Sequence, residues 1–293
     1  TKPILPAAVQ NDTAPKDPST DTNIANGLYV TTTYVEDRLK IANDVGDMER
    51  ALQEGNVGLA KQIYTQGLNS VIYDQNGQKV GLRTLASFST SASFAMAQEP
   101  VFNIMQNGLE DMNNLYLGNP SSAYANSIVE AAFSNQNAKT LASEAAVALN
   151  LWAYVIHELY QMIDNCKNKR MTDEDGILSL DEAVAYYIGD SQQAGDSITG
   201  HVLYALAEKM GEQFKTDSGS GTQSKVNLNI MTLFNQAKQE LAFPDACANN
   251  PKTFQRLRTI IHKIVSQMTV PLMQGLIYNL HKNDHDRVKL YAQ

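Results

Sequence analysis

His157 and Glu158 place an imidazole and a carboxylate directly after a charge-free stretch, residues 145–156. Such a stretch predicts a helix that is covered on nearly all sides. Polar groups at the edge of an apolar core cost free energy unless they find partners. The pair is therefore a satisfied buried His–Glu pair, an exposed helix end, or a pair of metal ligands. It is not a zincin motif, because residue 161 is Gln and not a second His.

A second candidate pair is Glu182 and Tyr186, which lie four residues apart and so share one face of a predicted helix. A carboxylate and a phenol are hard oxygen donors, suited to a small and highly charged cation. A soft-metal site would use thiolates, and the chain has no Cys-x-x-Cys. Simple packing of the tyrosine is the alternative interpretation. Asp181 and Tyr187 are the adjacent candidates if the helix is rotated by one position.

The segment before this pair resembles a calcium-binding EF-hand loop. With Gly176 at loop position six, Asp173 and Asp175 fall at positions three and five. Glu182 falls at position twelve, but position one is Met171, which cannot supply an oxygen ligand from its side chain. The pattern favours a helix-capping turn and leaves calcium binding as the lesser alternative.

Arg83 stands at the start of a predicted helix, in the sequence Val-Gly-Leu-Arg-Thr. A guanidinium beside the free N–H groups of a helix start is a natural anion site. The alternative is an ordinary surface arginine. The sequence leaves both open.

Composition excludes several classes of function. The 293 residues carry 31 acidic and 23 basic side chains, a net charge of −8, and the densest basic patch is only Lys167, Lys169 and Arg170. Nucleic-acid binding depends on clustered cations, so we expect no such partner. No apolar run approaches the roughly 18 residues of a membrane-spanning helix, so we expect no transmembrane segment. The chain contains no Gly-rich phosphate loop, nucleophile elbow or Ser/His/Asp pattern, and we expect it not to be an enzyme.

The elements that must position these residues are helices. A Pro- and Thr-rich tail, residues 1–23, is expected to be disordered. One domain of about ten helices should follow over 24–282, then a short tail over 283–293. The fold class predicted is all-α, with a possible hairpin over 71–80 around its Asn-Gly turn. The predicted helices are 34–54, 57–68, 82–98, 101–116, 122–133, 139–165, 180–188, 198–215, 226–241 and 251–279, with a flexible linker at 218–222.

Several segments of the chain resemble the algal iron-assimilation family. This family includes the iron-starvation-induced phytotransferrins of diatoms and the low-iron-inducible periplasmic proteins of green algae. The most specific segment is LDEAVAYYIG at 180–189, and the resemblance spans about residues 30 to 280. Further matching segments are GDMERAL at 46–52, AKQIYTQG at 60–67, LRTL at 82–85, GHVLYALAEK at 200–209, FKT at 214–216 and MTVPLMQG at 268–275.

The resemblance implies a secreted, periplasmic or cell-surface protein that captures ferric iron for uptake, with carbonate as a synergistic anion. It implies Glu182, Tyr186, His157 and Glu158 as metal ligands and Arg83 as the anion contact. The motif match supports the first two directly, whereas the other three depend on their chemistry. The expected partners of the protein are Fe³⁺, carbonate and a cell-surface uptake machinery. We expect the protein to release iron on acidification.

Family members are richer in cysteine than this chain, which has only Cys166 and Cys247. In a secreted protein the two would form one disulfide that closes a loop of about 80 residues, worth roughly 4 kcal/mol. A second function class also stays open. In it the protein is a structural or adhesion protein of the cell surface whose acidic loop binds calcium or nothing.

Overall fold

The fold is all-α, as predicted. It is seen in a computed structural model, in which helices dominate the described residues and the strands form only short antiparallel pairs. The residues that the structure describes are 23–25, 27–74, 76–89, 115–116, 119–120, 124–135, 139–218, 223–248 and 250–292. The predicted tail over 1–22 and the linker residues 219–222 lie outside them.

The N-terminal elements include the hairpin that the Asn-Gly turn predicts. Its two strands pair antiparallel, with a register shift after Ile72. The elements up to residue 120 are β1 (Asn23–Ile24), β2 (Tyr29–Val30), α1 (Glu36–Leu39), α2 (Ile41–Gln53), α3 (Val57–Gln66), β3 (Val71–Tyr73), β4 (Lys79–Leu82), α4 (Leu85–Phe88), β5 (Leu115–Tyr116) and β6 (Asn119–Pro120).

The central helix was predicted as one element over 139–165. It is helical throughout, but it changes from a 3₁₀ turn to α-helix, then to a π-helical segment and back. It ends where Lys169 takes a left-handed conformation with φ of 50°. These elements are α5 (Tyr124–Ser134), the 3₁₀ turn Lys139–Leu141, α6 (Ala142–Ala145), the π-helix Ala146–Leu151 and α7 (Trp152–Asn168).

The C-terminal elements are α8 (Ile177–Ile188), α9 (Leu203–Phe214), α10 (Lys225–Leu241), α11 (Pro251–Lys282) and α12 (His285–Tyr291). Helix α11 is 32 residues long and begins with a proline, whose missing N–H costs nothing there. The side chain of Asn250 caps it by accepting from the Lys252 N–H.

One hydrophobic core joins these helices. Helix α7 packs along α8, α10 packs along α11, and α1 covers the start of α8. The charge-free stretch is largely buried, as its composition predicts. Cys166, at the end of α7, is bonded to Cys247 in the loop before α11. The disulfide therefore links the central helix to the longest one.

Three predicted boundaries were wrong. Helix α9 begins at Leu203 and not at 198, because residues 195–202 form turns and Val202 is extended. Residues 283–293 contain helix α12, which Asp284 caps and Tyr291 anchors by donating to Glu144 at 2.6 Å. Of the predicted helices 82–98 and 101–116, the described helical residues are Leu85–Phe88 alone, and 115–116 is a strand. Residues 90–114 lie outside the described chain.

Within the described residues, no helix has the length and apolar character required to span a bilayer.

Candidate metal centre

Helices α7 and α8 each carry a phenol and a carboxyl group four residues apart, and the two pairs meet. Helix α7 contributes Tyr154 and Glu158, and α8 contributes Glu182 and Tyr186. The helical period places each pair on one face. Glu158 interacts with both the Tyr154 hydroxyl and the Glu182 carboxyl. The rings of Tyr154 and Tyr186 meet edge to face, with centroids 5.0 Å apart. Four oxygen-bearing side chains therefore converge between these helices.

Aromatic rings enclose this cluster on two sides. Phe88 of α4 stacks on Tyr154 at 3.9 Å and meets Tyr186 edge to face at 5.3 Å. The ring of His157 stacks on the Tyr154 ring with centroids 5.2 Å apart. Apolar rings lower the local dielectric constant, which strengthens every charge interaction inside the cluster.

Two buried arginines supply the opposite charge. Arg38 contacts the Glu182 Oε1 atom through Nε at 2.9 Å and Nη2 at 2.6 Å. Its Nη1 atom donates to both oxygens of Asp37, at 2.8 and 2.9 Å, and Asp37 also accepts from Arg83 at 3.1 Å. Arg38 is 1% exposed, and Arg83 and Asp37 are each 5% exposed. Charges so deeply buried persist only when they are paired.

Arg83, which was the predicted anion contact, is therefore not a surface arginine. Its guanidinium also donates to the Val71 carbonyl at 3.3 Å. The helix that follows it, α4, is a single turn capped by Thr84, so the N–H groups of its start are partly satisfied already. Arg83 lies close enough to Tyr186 to oppose the rise in the pKa of that phenol.

Burial determines the protonation states of the cluster. Burial raises the pKa of Glu158 well above its ordinary value, and the neighbouring Glu182 raises it further. Burial likewise raises the pKa values of Tyr154 and Tyr186. Burial therefore favours the protonated form of all three groups. When they are protonated, the guanidinium charges of Arg38 and Arg83 balance the carboxylates of Asp37 and Glu182, and these groups together carry no net charge.

His157 is a neutral imidazole in this environment. Burial lowers its pKa to about 4, although the Glu182 carboxylate opposes the shift. The Nε2 atom lies 3.9 Å from the Glu158 Oε1 atom, which is too far for a good hydrogen bond. Within the described structure, the buried Nδ1 atom has no hydrogen-bond partner. A neutral ring nitrogen therefore stands beside the oxygen cluster.

The structure shows which residues of α8 face α7. Asp181 faces away from α7 and accepts from the Tyr29 hydroxyl and the Thr32 N–H, both at 2.7 Å. Tyr187 donates to the side chain of Asn227 at 2.5 Å. Both alternatives are committed to other parts of the core, so the residues that face α7 are Glu182 and Tyr186.

The loop that resembles an EF-hand is a helix cap. Asp173 is buried and accepts from the N–H groups of Leu178 and Ser179 at 2.9 and 3.1 Å. It also accepts from the Ser179 hydroxyl at 2.8 Å and from the Asn165 amide at 2.9 Å. Met171, at the first loop position, is 96% exposed. The oxygens of Asp173 are thus occupied by the start of α8, which argues against a calcium site.

No group of three or more His, Cys, Asp or Glu residues in the described part of the chain is arranged to hold a metal. A metal at the α7–α8 cluster would therefore have to use the phenol oxygens, together with Glu158 and Glu182. This requirement favours a cation that binds phenolate.

Sequence reasoning missed Tyr154, Arg38 and Phe88. Tyr154 had a readable signal, because it precedes Glu158 by the same four residues that separate Glu182 from Tyr186. It was hidden inside a stretch interpreted as apolar core. Arg38 and Phe88 had no local signal, since they reach the cluster only through the tertiary fold.

A comparison with protein families supports this reading of the chain. A family described as low iron-inducible periplasmic protein matches residues 8–260, a range that contains every residue of the cluster. No curated protein and no solved structure matches the chain.

Proposed function

Because the chain belongs to the family of low iron-inducible periplasmic proteins, we propose that it captures ferric iron at the α7–α8 cluster. The family gives the protein a periplasmic location and an iron-related role. The proposed ligands are Glu182, Tyr186 and Glu158, with Tyr154 added from the structure. His157 is a further candidate through its ring nitrogen.

The observation that carries the proposal is the convergence of two phenols and two carboxyls in one enclosed place. Carboxylates and phenolates are hard anionic ligands, and Fe³⁺ is a small, hard cation. A bound cation lowers the pKa of a phenol or carboxyl that it contacts, because it stabilises the deprotonated form. The high pKa values of the empty cluster are then no obstacle to binding at neutral pH.

The charge balance supports a trivalent cargo. The empty cluster is neutral when Glu158, Tyr154 and Tyr186 are protonated, the forms that burial favours. An ion of charge +3 that displaces these three protons leaves the cluster neutral again. A divalent ion that displaced all three would leave a net negative charge, which is costly in a buried place. To stay neutral it would have to leave one of the three groups protonated, so only the trivalent ion uses all of them as deprotonated ligands.

We also propose carbonate as a synergistic anion beside Arg83 and Arg38, where its two negative charges would take the place of two of the three displaced protons in the charge balance. These are the two buried cations of the cluster, and both interact with the groups proposed as ligands. Carbonate is itself protonated as pH falls, which would add to the release of iron in acid. We propose transport and not catalysis, with a cell-surface uptake machinery as the partner.

The experiment is a titration of the apo protein with a ferric chelate, with and without bicarbonate. A tyrosinate–iron bond gives a visible charge-transfer band, so we expect a band in the wild type. We expect Tyr186→Phe and Tyr154→Phe each to weaken or shift it. Tyr187→Phe, on the opposite side of α8, is the matched control and should retain it.

Two outcomes would contradict the proposal. One is a band of unchanged intensity and position in both cluster variants. The other is saturable calcium binding by a wild-type protein that gives no band with iron, which would support the adhesion alternative.

A further inference from the structure

A groove of about 660 Å³ lies on the other end of α7, between its last turn and the first three turns of α11. This volume is within the range of sites that bind small molecules. The residues that line the groove are Lys167, Pro251, Phe254, Gln255, Arg258, Thr259 and His262.

The lining is cationic on an acidic protein. Lys167 and Arg258 supply positive charge, and the side-chain amide of Gln255 is able to donate hydrogen bonds. No carboxylate belongs to the described lining, although the chain has a net charge of −8. By contrast, the cleft around His201 is lined by Glu49 and Glu144 as well as by cations. The groove on α11 is therefore suited to an anion.

The walls of the groove are held in place by covalent and helical structure. Lys167 directly follows Cys166, and the disulfide to Cys247 ties this end of α7 to the loop that leads into α11. The groove also includes the first turn of α11, which begins at Pro251. The positive end of the helix dipole therefore adds to the charge of the two side chains.

We propose that this groove binds a tetrahedral oxyanion, phosphate or sulfate. Two multidentate donors, a guanidinium and an ammonium, match the oxygens of such a group. Phe254, 5% exposed, gives the groove an apolar floor. The groove is separate from the iron cluster, since Lys167 lies nine residues from Glu158, about 13 Å along α7.

Inorganic phosphate and sulfate are the probes for the first arm of the test. They are titrated into the apo protein by calorimetry at constant ionic strength, with chloride as the balancing anion. We expect saturable binding that Lys167→Gln weakens roughly fivefold and Arg258→Gln roughly tenfold. Lys263→Gln is the matched control, because Lys263 is exposed on the same helix and does not line the groove.

Vesicles distinguish the source of the oxyanion. Phosphatidic acid vesicles are compared with phosphatidylcholine vesicles in a sedimentation assay, with the same three variants. Binding of the free ions identifies a small-molecule site. Binding only to the phosphatidic acid vesicles, lost in Lys167→Gln, identifies a lipid headgroup.

The proposal is overturned if neither arm detects binding, or if Lys263→Gln weakens binding as much as Lys167→Gln. Because Lys167 is exposed, we expect its substitution to leave the fold intact. Circular dichroism spectra of all variants verify this.

Discussion

Loading of the α7–α8 cluster should release about three protons per ferric ion, and this number tests the proposed ligand set. Burial raises the pKa values of Tyr154, Tyr186 and Glu158, which favours their protonated forms in the empty protein. Each must lose its proton before its oxygen can bind the ion, so metal affinity is linked to pH.

The size of the effect follows from this count. Each proton that the ion displaces makes the apparent iron affinity depend on pH, as long as the pKa of that group in the empty protein lies above the assay pH. The affinity then changes tenfold, or about 1.4 kcal/mol, per pH unit for each displaced proton. Three protons from Tyr154, Tyr186 and Glu158 give a slope of about three. A fall of one pH unit then weakens iron binding roughly 1000-fold, or about 4 kcal/mol. This count applies without bicarbonate. Carbonate brings two negative charges of its own, so neutrality then requires only one of the three protons to leave. Bicarbonate gives up one more proton as it becomes carbonate, and the expected slope is about two.

The assay is competition against a soluble ferric chelator whose own proton release is known, between pH 6 and 8. Calorimetry in buffers of different ionisation enthalpy gives the proton count independently. Tyr154→Phe and Glu158→Gln should each lower the slope from about three to about two, because each removes one displaced proton. Tyr187→Phe should leave it unchanged, since Tyr187 bonds to Asn227 and not to the cluster.

The reasoning is refuted if the wild-type slope is one or less, or if Tyr154→Phe has the wild-type slope. Either result would mean that the buried phenols do not exchange their protons for iron. A slope that Tyr187→Phe lowers as much as Tyr154→Phe would indicate a general loss of structure.

Three further predictions concern the apo protein. Glu182→Gln should lower the free energy of unfolding by roughly 1–3 kcal/mol in urea titrations, because Arg38 loses a charged partner. Glu158→Gln should change this free energy little at pH 7, because burial favours the uncharged form of Glu158. Equal losses in the two variants would contradict these charge states. The hydrogen bond to Glu49 raises the pKa of His201. This pair should therefore stabilise the fold below pH 6.5, and the stabilisation should be lost as the pH rises through the raised pKa. An NMR titration in which Glu49→Gln leaves the pKa of His201 unchanged would disprove the assignment. Reduction of the disulfide, which spans 81 residues, should cost ~4.5 kcal/mol in the same urea titrations, and a protein equally stable in reductant would count against this value.

The sequence predicted the fold class and three of the four oxygen-bearing side chains of the cluster, Glu158, Glu182 and Tyr186, because these depend on local patterns. Helical periodicity marks most of the described helices, and the spacing of Glu182 and Tyr186 is visible within a single turn. The sequence did not determine whether Glu182 and Tyr186 or their neighbours Asp181 and Tyr187 face the site. The structure answers this question, because Asp181 contacts Tyr29, which is 152 residues away in the chain.

The surroundings of the cluster depend on contacts that no local pattern encodes. Arg38 reaches Glu182 across 144 residues, and Arg83 reaches Asp37 across 46. Tyr154 was interpreted as core because its neighbours are apolar; its ring does pack against Phe88 and Tyr186, but it also belongs to the cluster. The loop around Asp173 was correctly predicted as a helix-capping turn, although a helix cap and a weak calcium loop use the same acidic residues.

The two carboxyl groups of the cluster have different roles because their surroundings differ. Glu182 is ion-paired with Arg38, and Asp37 holds Arg38 and Arg83 in place. Among the described residues, Glu158 has no ion pair with an arginine, and burial favours its protonated form beside Tyr154. The arginines therefore compensate the charges that are permanent, while the protons compensate those that appear only when the ion arrives. A cluster built in this way is neutral when empty and neutral when it holds a trivalent ion. Acid alone then shifts the balance toward the empty state, with no conformational change required.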